Sequence, residues 1–349
     1  VIHTLSGVGY RSALAGIQHI AAEAETIGYD EVLSVGSSRV EHVAPAVCEF
    51  LHARPQEPFF LSVGFFETHR EYPRPGPEDD ARYTLPPGSV PDTPETREDF
   101  AAFKASARRL DWGVGQVLDA LDGAGLAENT LVICTTDHGI AFPRMKCNLT
   151  DSGIGVMLIM RGPGGFEGGR VCDALVSHID LFPTLCDLLE IEPPDWLQGT
   201  SLMPLVRGEA EEVRDEVFAE VTYHAAYEPQ RAVRTRRWKY IRRFDGREAP
   251  VLPNCDDSLS KDVWMRHGWQ DHPPSREQLF DVVFDPAESN NLASDPSLAD
   301  VLGDMRARLD RWMHETDDPL LDGPVPAPHG ARVNDTDGVS PQETPLVIE

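Results

Sequence analysis

The sequence predicts an α/β fold: a mostly parallel central sheet flanked by helices, followed by a smaller C-terminal antiparallel sheet with a packing helix. Three observations predict it. Near-continuous apolar runs at "EPFFLSVGFF" (57–66) and "LVICTT" (131–136) suit strands buried on both faces, as in parallel sheets. A long amphipathic helix leads directly into the second run, the crossover pattern of α/β proteins. After Val217 the apolar pattern switches to simple alternation, as in antiparallel strands.

Each element has its own signal. The run 57–66 ends in "ETHREYPRP", and residues 72–94 are rich in Pro and Gly, reading as an irregular surface excursion. Phe100, Phe103, Ala107, Leu110, Val114, Val117 and Leu121 recur three and four apart, placing one apolar stripe on a helix. Thr93 or Thr96 is placed to cap its start, and Gly123 and Gly125 mark its end. "GVMLIMRGPGG" (155–165) is a further apolar run closing in a turn, and "VSHIDLFPTLCDLLEI" (176–191) gives a helix beginning between Asp180 and Pro183. "VFAEVTYH" and "RAVRTRRWKYIRRF" alternate as antiparallel strands, "EQLFDVVFDPAESNNLASDP" adds a strand and a turn, and a last helix runs over about 298–314. The expected boundaries are an α/β core over 1–215, a C-terminal subdomain over 216–314, and a loosely ordered tail over 315–349.

Composition narrows the class. The formal net charge of −27 opposes a nucleic-acid footprint, and no apolar stretch is long enough to span a membrane as a helix. Of the 31 basic residues only Lys104, Lys146, Lys239 and Lys261 are lysines, leaving 27 Arg. A lysine-poor acidic surface suits a salt-rich cytosol, which favours the cytoplasm of a halophile over secretion without fixing the location; a GC-rich genome gives the same bias. None of the six cysteines forms a CxxC pair, so a zinc ribbon or redox motif is not indicated. The chain opens at Val1 on "GVGYRSALAGIQHI", which reads as the interior of a fold, and an N-terminal truncation is expected.

In a parallel α/β sheet the reactive groups gather at the carboxyl ends of strands. "FFLSVGFFETHR" leads to His69, "LVICTTDHG" ends in Asp137-His138, and "SALAGIQHI" carries His19. Three histidines and an aspartate so placed suit a metal and acid–base work. Taken singly, Asp137-His138-Gly139 is equally a plain turn, and a histidine after a strand is equally a loop residue. Lys146, close behind the Asp-His pair in a chain that otherwise uses Arg, singles the segment out.

These stretches resemble the sulfatase family of the alkaline phosphatase superfamily. "CTTDHGIAFPRMKCNL" is similar to its strand ending in Ser-Asp-Asn-Gly or Thr-Asp-His-Gly, and "GYRSALAGIQHI" to its Gly-Tyr-x-Thr-x-x-x-Gly-Lys-x-His block. "PFFLSVGFFETHREYPRP", "VSHIDLFPTLCDLL" and "EQLFDVVFDPAESNNLASDP" resemble three further family blocks in the right order, and "GIAFPRMKCNL" and "HETDDP" resemble the heparan N-sulfatase type. The resemblance implies a metal-assisted hydrolase of sulfate esters or N-sulfated sugars with an alkaline-phosphatase-like fold. It implies Asp137 and His138 as ligands of a divalent cation, usually Ca²⁺, with Mn²⁺ or Zn²⁺ brought into play by the imidazole. It implies His69 as hydrogen-bonding the sulfate and helping to protonate the leaving group, His19 as positioning or deprotonating the nucleophile, and Lys146 as a sulfate ligand. Glu220, Tyr223 and His224, in the first alternating strand, are candidates for the border of the substrate pocket.

Two departures stand out. The family's Lys before x-His is Ile17 here, and no cysteine is followed by x-Pro-x-Arg, the block that supplies the formylglycine nucleophile. That block and a pair of Asp metal ligands are expected upstream of Val1, and the chain alone is expected to be inactive. Two alternatives stay open: a phosphodiester or phosphonate ester hydrolase of the same superfamily, and a non-catalytic relative that binds acidic glycans. A small-molecule or sugar sulfate is the expected partner, and a homodimer is left open.

Overall fold

The computed structural model describes residues 1–349. The chain forms two compact units: Val1–Thr84 with Phe100–Cys134 and Ile159–Arg170, and Leu85–Asp99 with Thr135–Leu158 and Val171–Glu349.

The first unit carries helix α1 (Ile2–Gly7), strands β1 (Arg11–Gly16) and β2 (Glu31–Val32), helix α2 (Val40–His52), strand β3 (Phe59–Gly64), most of helix α3 (Pro94–Gly123), and strands β4 (Val132–Thr135) and β5 (Leu158–Arg161) for the greater part. A parallel sheet runs β2-β1-β3, with Ala13 opposite both Glu31 and Leu61, and β4 pairs with β5 in a separate two-stranded sheet. Its core joins Ala15 of β1, Val43, Val47 and Leu51 of α2, and Ala120, Leu121 and Ala124 from the end of α3 and just beyond it. The two strands expected to be buried on both faces, β3 and β4, are half-buried over most of their length, and each is an edge strand of its sheet. The buried strand is β1, whose Ser12, Ala13, Leu14 and Ala15 are all enclosed.

The second unit is built on an antiparallel sheet of β6 (Glu216–Tyr223), β7 (Tyr227–Thr235), β8 (Trp238–Arg243) and β9 (Glu277–Asp281), paired in that order. Alternation along these strands sorts side chains between two faces. Val233, Tyr240 and Leu279 pack on Leu302, Met305, Leu309 and Met313 of the last long helix. Ala232, Ile241 and Phe280 face the other way and cover Leu149. Short helices α4 (Asp151–Ile154), α5 (Leu181–Leu188), α6 (Met203–Val206) and α7 (Leu259–Arg266) precede that long helix, α8 (Ala299–Glu315), and a small hairpin of β10 (Arg332–Val333) with β11 (Leu346–Val347) follows it. The segment after α8 is tied down by ion pairing and hydrogen bonds. Arg231 of β7, fully buried, donates from Nη2 to Asp318 at 3.1 Å, and the Tyr223 hydroxyl donates to the Val325 carbonyl at 2.9 Å. No helix is long and apolar enough to cross a membrane.

Candidate active site

In the first unit, two glycines set the geometry at the carboxyl edge of the parallel sheet. Gly16 ends β1 at φ +85°, and a side chain there would meet the Gly64 carbonyl at 2.0 Å. Gly64 ends β3, and a side chain there would meet the Ile17 carbonyl at 2.0 Å. The Ile17 amide donates to the Gly64 carbonyl at 2.9 Å. Only glycine permits this approach, so the segments that carry His19 and His69 leave the sheet side by side. His19 is exposed. Its turn is organised by Gln18, whose Oε1 accepts from the Ile20 and Ala21 amides at 2.6 and 3.0 Å. Gln18, which carries no charge to place on a sulfate, shapes the backbone instead.

His69 is half-buried against Phe66, with ring centroids 4.9 Å apart. Its Nδ1–H donates to the Arg70 carbonyl at 2.6 Å. That bond fixes the tautomer and makes Nε2 the nitrogen that exchanges protons. Two residues earlier, the buried Glu67 carboxylate accepts from the Val40 amide at the start of α2 at 3.0 Å and lies 3.4 Å from Arg39 Nη1. A carboxylate is stabilised at a helix N-terminus, so Glu67 anchors the His69 loop to α2.

In the second unit the segment after β4 folds back on itself. The Gly139 amide donates to the Gly153 carbonyl at 2.7 Å, and a side chain at Gly139 would meet the Ser152 carbonyl at 1.9 Å. Phe142, Met145 and Leu149 are buried pegs beneath the loop. His138 Nδ1–H donates to the Gly139 carbonyl at 2.7 Å, which turns Nε2 toward Asp137 Oδ2 at 3.4 Å. These two atoms are an oxygen and a nitrogen of the kinds that ligate cations. Nowhere do three or more His, Cys, Asp or Glu side chains gather to hold a metal. The pair fits two positions of a coordination shell, an oxygen and a nitrogen, and no more.

Lys146 is 6% exposed, and its Nζ donates to Asp256 Oδ2 at 3.0 Å. The segment around Asp256 is held from both sides. Lys261 Nζ donates to the Cys255 carbonyl at 2.7 Å and to Asp257 Oδ1 at 2.9 Å. Asn254 Oδ1 accepts from the Ala226 amide at 2.8 Å, and its Nδ2 donates to Glu228 Oε2 at 2.8 Å. Ala226 lies in the β6–β7 turn two residues after His224, which is exposed. Lys146, Asp256 and the turn bearing His224 therefore share one neighbourhood, linked through Asn254. Tyr223 is committed to Val325, and Glu220 Oε2 lies 3.2 Å from Arg231 Nε. Burial pushes the Cys147 thiol well above its ordinary range, which leaves it inert as a nucleophile.

The loop is positioned by a buried ionic cluster. Lys239 pairs with Asp151 and, at 3.4 Å, with Glu288 Oε1; Arg234 Nε donates to Asp151 Oδ1 at 3.1 Å; the Asp151 amide donates to Glu288. Arg144 Nη2 donates to the Glu288 carbonyl at 2.8 Å. The run "FDPAESNNL" thus supplies, in Glu288, the clamp for the loop that carries Lys146. Asp256 and Asn254 lie outside the motifs, and Glu67 and Gln18 lie inside them beside the histidines with no pattern that marks their own roles.

The chain belongs to the sulfatase family, whose family model matches residues 8–191. A second family model, described as N-sulphoglucosamine sulphohydrolase, C-terminal, matches residues 144–253, the stretch from Arg144 to the residue before Asn254. The human N-sulphoglucosamine sulphohydrolase is 31% identical over 98% of this chain and 77% of its own length. A Delta 4,5-hexuronate-2-O-sulfatase of Bacteroides thetaiotaomicron is 30% identical over 71% of this chain and 48% of its own. The chain thus spans about three quarters of the first relative and about half of the second. Among solved structures, a 2-O GAG sulfatase superposes with a TM-score of 0.68 at 22% identity, covering 93% of this chain and 76% of that one. A protein solved in complex with its substrate, D-glucosamine-2-N,6-O-disulfate, superposes with a TM-score of 0.68 at 16% identity, covering 90% and 82%. These likenesses give the alkaline-phosphatase-like fold expected from the sequence.

Proposed function

We propose that the protein is a sulfatase-type hydrolase whose substrates are N-sulfated amino sugars, with sugar sulfate esters as the neighbouring class. The observation that carries this reading is the coincidence of the 144–253 match with the neighbourhood of Lys146 and the His224 turn. In this reading the Lys146 ammonium holds a sulfuryl oxygen as a compact charge. His69, with Nδ1–H committed to the Arg70 carbonyl, protonates the leaving nitrogen or oxygen from Nε2. His19 orients the nucleophile, and His224 borders the sugar. Asp137 and His138 would hold two positions of a divalent cation, Ca²⁺ by family habit and Mn²⁺ or Zn²⁺ by the softness of imidazole. A cation there supplies Lewis-acid stabilisation of negative charge on sulfuryl oxygens. The nucleophile of the family is a formylglycine, which none of the six cysteines here supplies in its usual block.

The test is sulfate release by the complete gene product, read by ion chromatography. N-sulfoglucosamine, an O-sulfated sugar and a phosphodiester are offered in parallel. Sulfate release from the first is expected, and His69→Gln should lower it by about 10²–10⁴-fold. Cleavage of the phosphodiester to its monoester and alcohol in place of sulfate release, or no sulfate from any sulfated substrate, overturns the reading.

A further inference from the structure

The charge that faces an incoming anion is not that of a bare lysine. Lys146 Nζ is buried and shares a 3.0 Å charge-assisted bond with Asp256 Oδ2, and the Asp256 side chain is itself only 19% exposed. Neither partner is on a mobile arm. Lys146 sits in a loop pegged by Phe142, Met145 and Leu149, and its own amide donates to the Ile140 carbonyl at 3.1 Å. Asp256 lies between Cys255, whose carbonyl is held by Lys261, and Asp257, whose carboxylate pairs with the same ammonium at 2.9 Å. The other charged groups nearby have partners of their own. Glu228 pairs with Arg243, which also reaches Asp245 at 2.7 Å, and Asp257 pairs with Lys261. Asp256 is therefore a fixed carboxylate against the ammonium that an anion would meet at Lys146.

We propose that Asp256 is a specificity-determining residue that tunes the Lys146 site to monoanionic sulfuryl groups and against dianionic phosphoryl groups. This rests on the reading of Lys146 as the sulfuryl ligand. The cause is Coulombic. A sulfate ester or sulfamate carries one negative charge on the group, whereas a phosphate monoester carries about −1.5 to −2 at neutral pH. Attraction to Lys146 and repulsion from Asp256 both scale with the anion's charge, so with the two groups adjacent the second charge gains little attraction. Remove the carboxylate and that repulsion, which weighs twice as heavily on the dianion, is gone. The monoanion also gains, but by less. Asp256 thus costs affinity for every anion and costs most for the dianion, so specificity comes from a repulsive element beside the attractive one.

A matched pair of probes that cannot be hydrolysed tests this: methanesulfonate, a monoanion, and methylphosphonate at a pH where it is doubly ionised. Both are titrated calorimetrically into the full chain. The wild type is expected to prefer methanesulfonate. Asp256→Asn should tighten methylphosphonate more than methanesulfonate, narrowing that preference by about tenfold, or about 1.4 kcal/mol. Asp256→Glu, which keeps the charge, should keep the preference. Equal changes for both anions in Asp256→Asn, with circular dichroism unchanged, overturn the inference and leave the function intact. Lys146→Ala separates the two claims, because it should abolish binding of both probes. If it leaves them unchanged, or if the wild type binds neither probe, the assignment of Lys146 itself falls.

Discussion

At the scale of single residues, the division of labour between Lys and Arg is informative. Of the four lysines, Lys146, Lys239 and Lys261 are buried, each with its ammonium against carboxylates. Arginine serves both exposed pairs, such as Arg82 with Asp80 and Arg97 with Asp92, and enclosed ones, Arg231 with Asp318 and Arg243 with Glu228. Rarity of Lys in the sequence therefore marks enclosure, with Lys146 as one instance of three. Lys239 is the clearest structural case. Burial pushes its pKa down and pushes that of Glu288 up, each shift opposed by the other's charge. Asp151 is held below the usual carboxylate range: burial would raise it, but Lys239 and Arg234 together prevail. Lys239→Met leaves Glu288 and Asp151 with one cation fewer in a dry setting. The expected loss is about 3–5 kcal/mol in urea denaturation. Adding Glu288→Gln to Lys239→Met should recover part of that loss, because the neutral amide no longer needs the ammonium. A single-variant loss under about 1 kcal/mol would show that the cluster is hydrated and weak.

At the scale of elements, β9 and α8 are joined by an ion pair whose sign is fixed. Arg306 donates from Nε and Nη2 to Glu277 at 2.7 and 2.6 Å, and the Tyr240 hydroxyl also donates to Glu277. Chiefly through Arg306, and with Tyr240 assisting against the opposing effect of burial, the Glu277 carboxyl is held below its usual range. A carboxylate depressed in the folded state contributes stability above its ordinary pKa of about 4.3, and loses it as pH falls through the folded value. The wild type should exceed Glu277→Gln by about 1–2 kcal/mol at neutral pH. The gap should close as pH is lowered from about 5 toward about 3. A gap constant across that range would mean that Glu277 acts by shape alone. Elements of this kind differ in how legible they are. The alternation of β6–β9, whose two faces pack on α8 and over Leu149, and the stripes of α3 and α8 are plain in the sequence. Helix α2 is hidden because Pro45 lies inside it, and β1 because its enclosed residues are Ser, Ala, Leu and Ala, poor strand formers suited to close packing. The same contrast holds at the candidate site. Asp137, His138 and Lys146 sit in one legible segment, whereas Asp256 is 110 residues from Lys146 and Glu288 is 137 residues from Asp151. Pairings over such separations leave no local periodicity to read.

At the scale of the whole molecule, charge outweighs every other feature: 58 acidic against 31 basic residues, a net −27. Two effects of salt then compete. Screening relieves the mutual repulsion of the excess carboxylates, which spreads over the surface and favours expansion of the chain. Screening also weakens the exposed ion pairs, but each of these is worth only about 0–1 kcal/mol. The enclosed pairs, Lys239 with Asp151 and Arg231 with Asp318, lie away from the ions and are screened least. Repulsion should therefore win. Raising KCl from about 0.01 to about 1 M shortens the Debye length from about 30 to about 3 Å, and the urea midpoint at pH 7 should rise over that range. The control is internal to the protein. Near the sequence pI of about 4.7 the net charge vanishes, so the same salt series should leave the midpoint flat or lower it. A rise of equal size at both pH values would assign the effect to general salting-out of apolar surface. A fall at pH 7 would mean that the arginine–carboxylate pairs outweigh the excess of 27 charges.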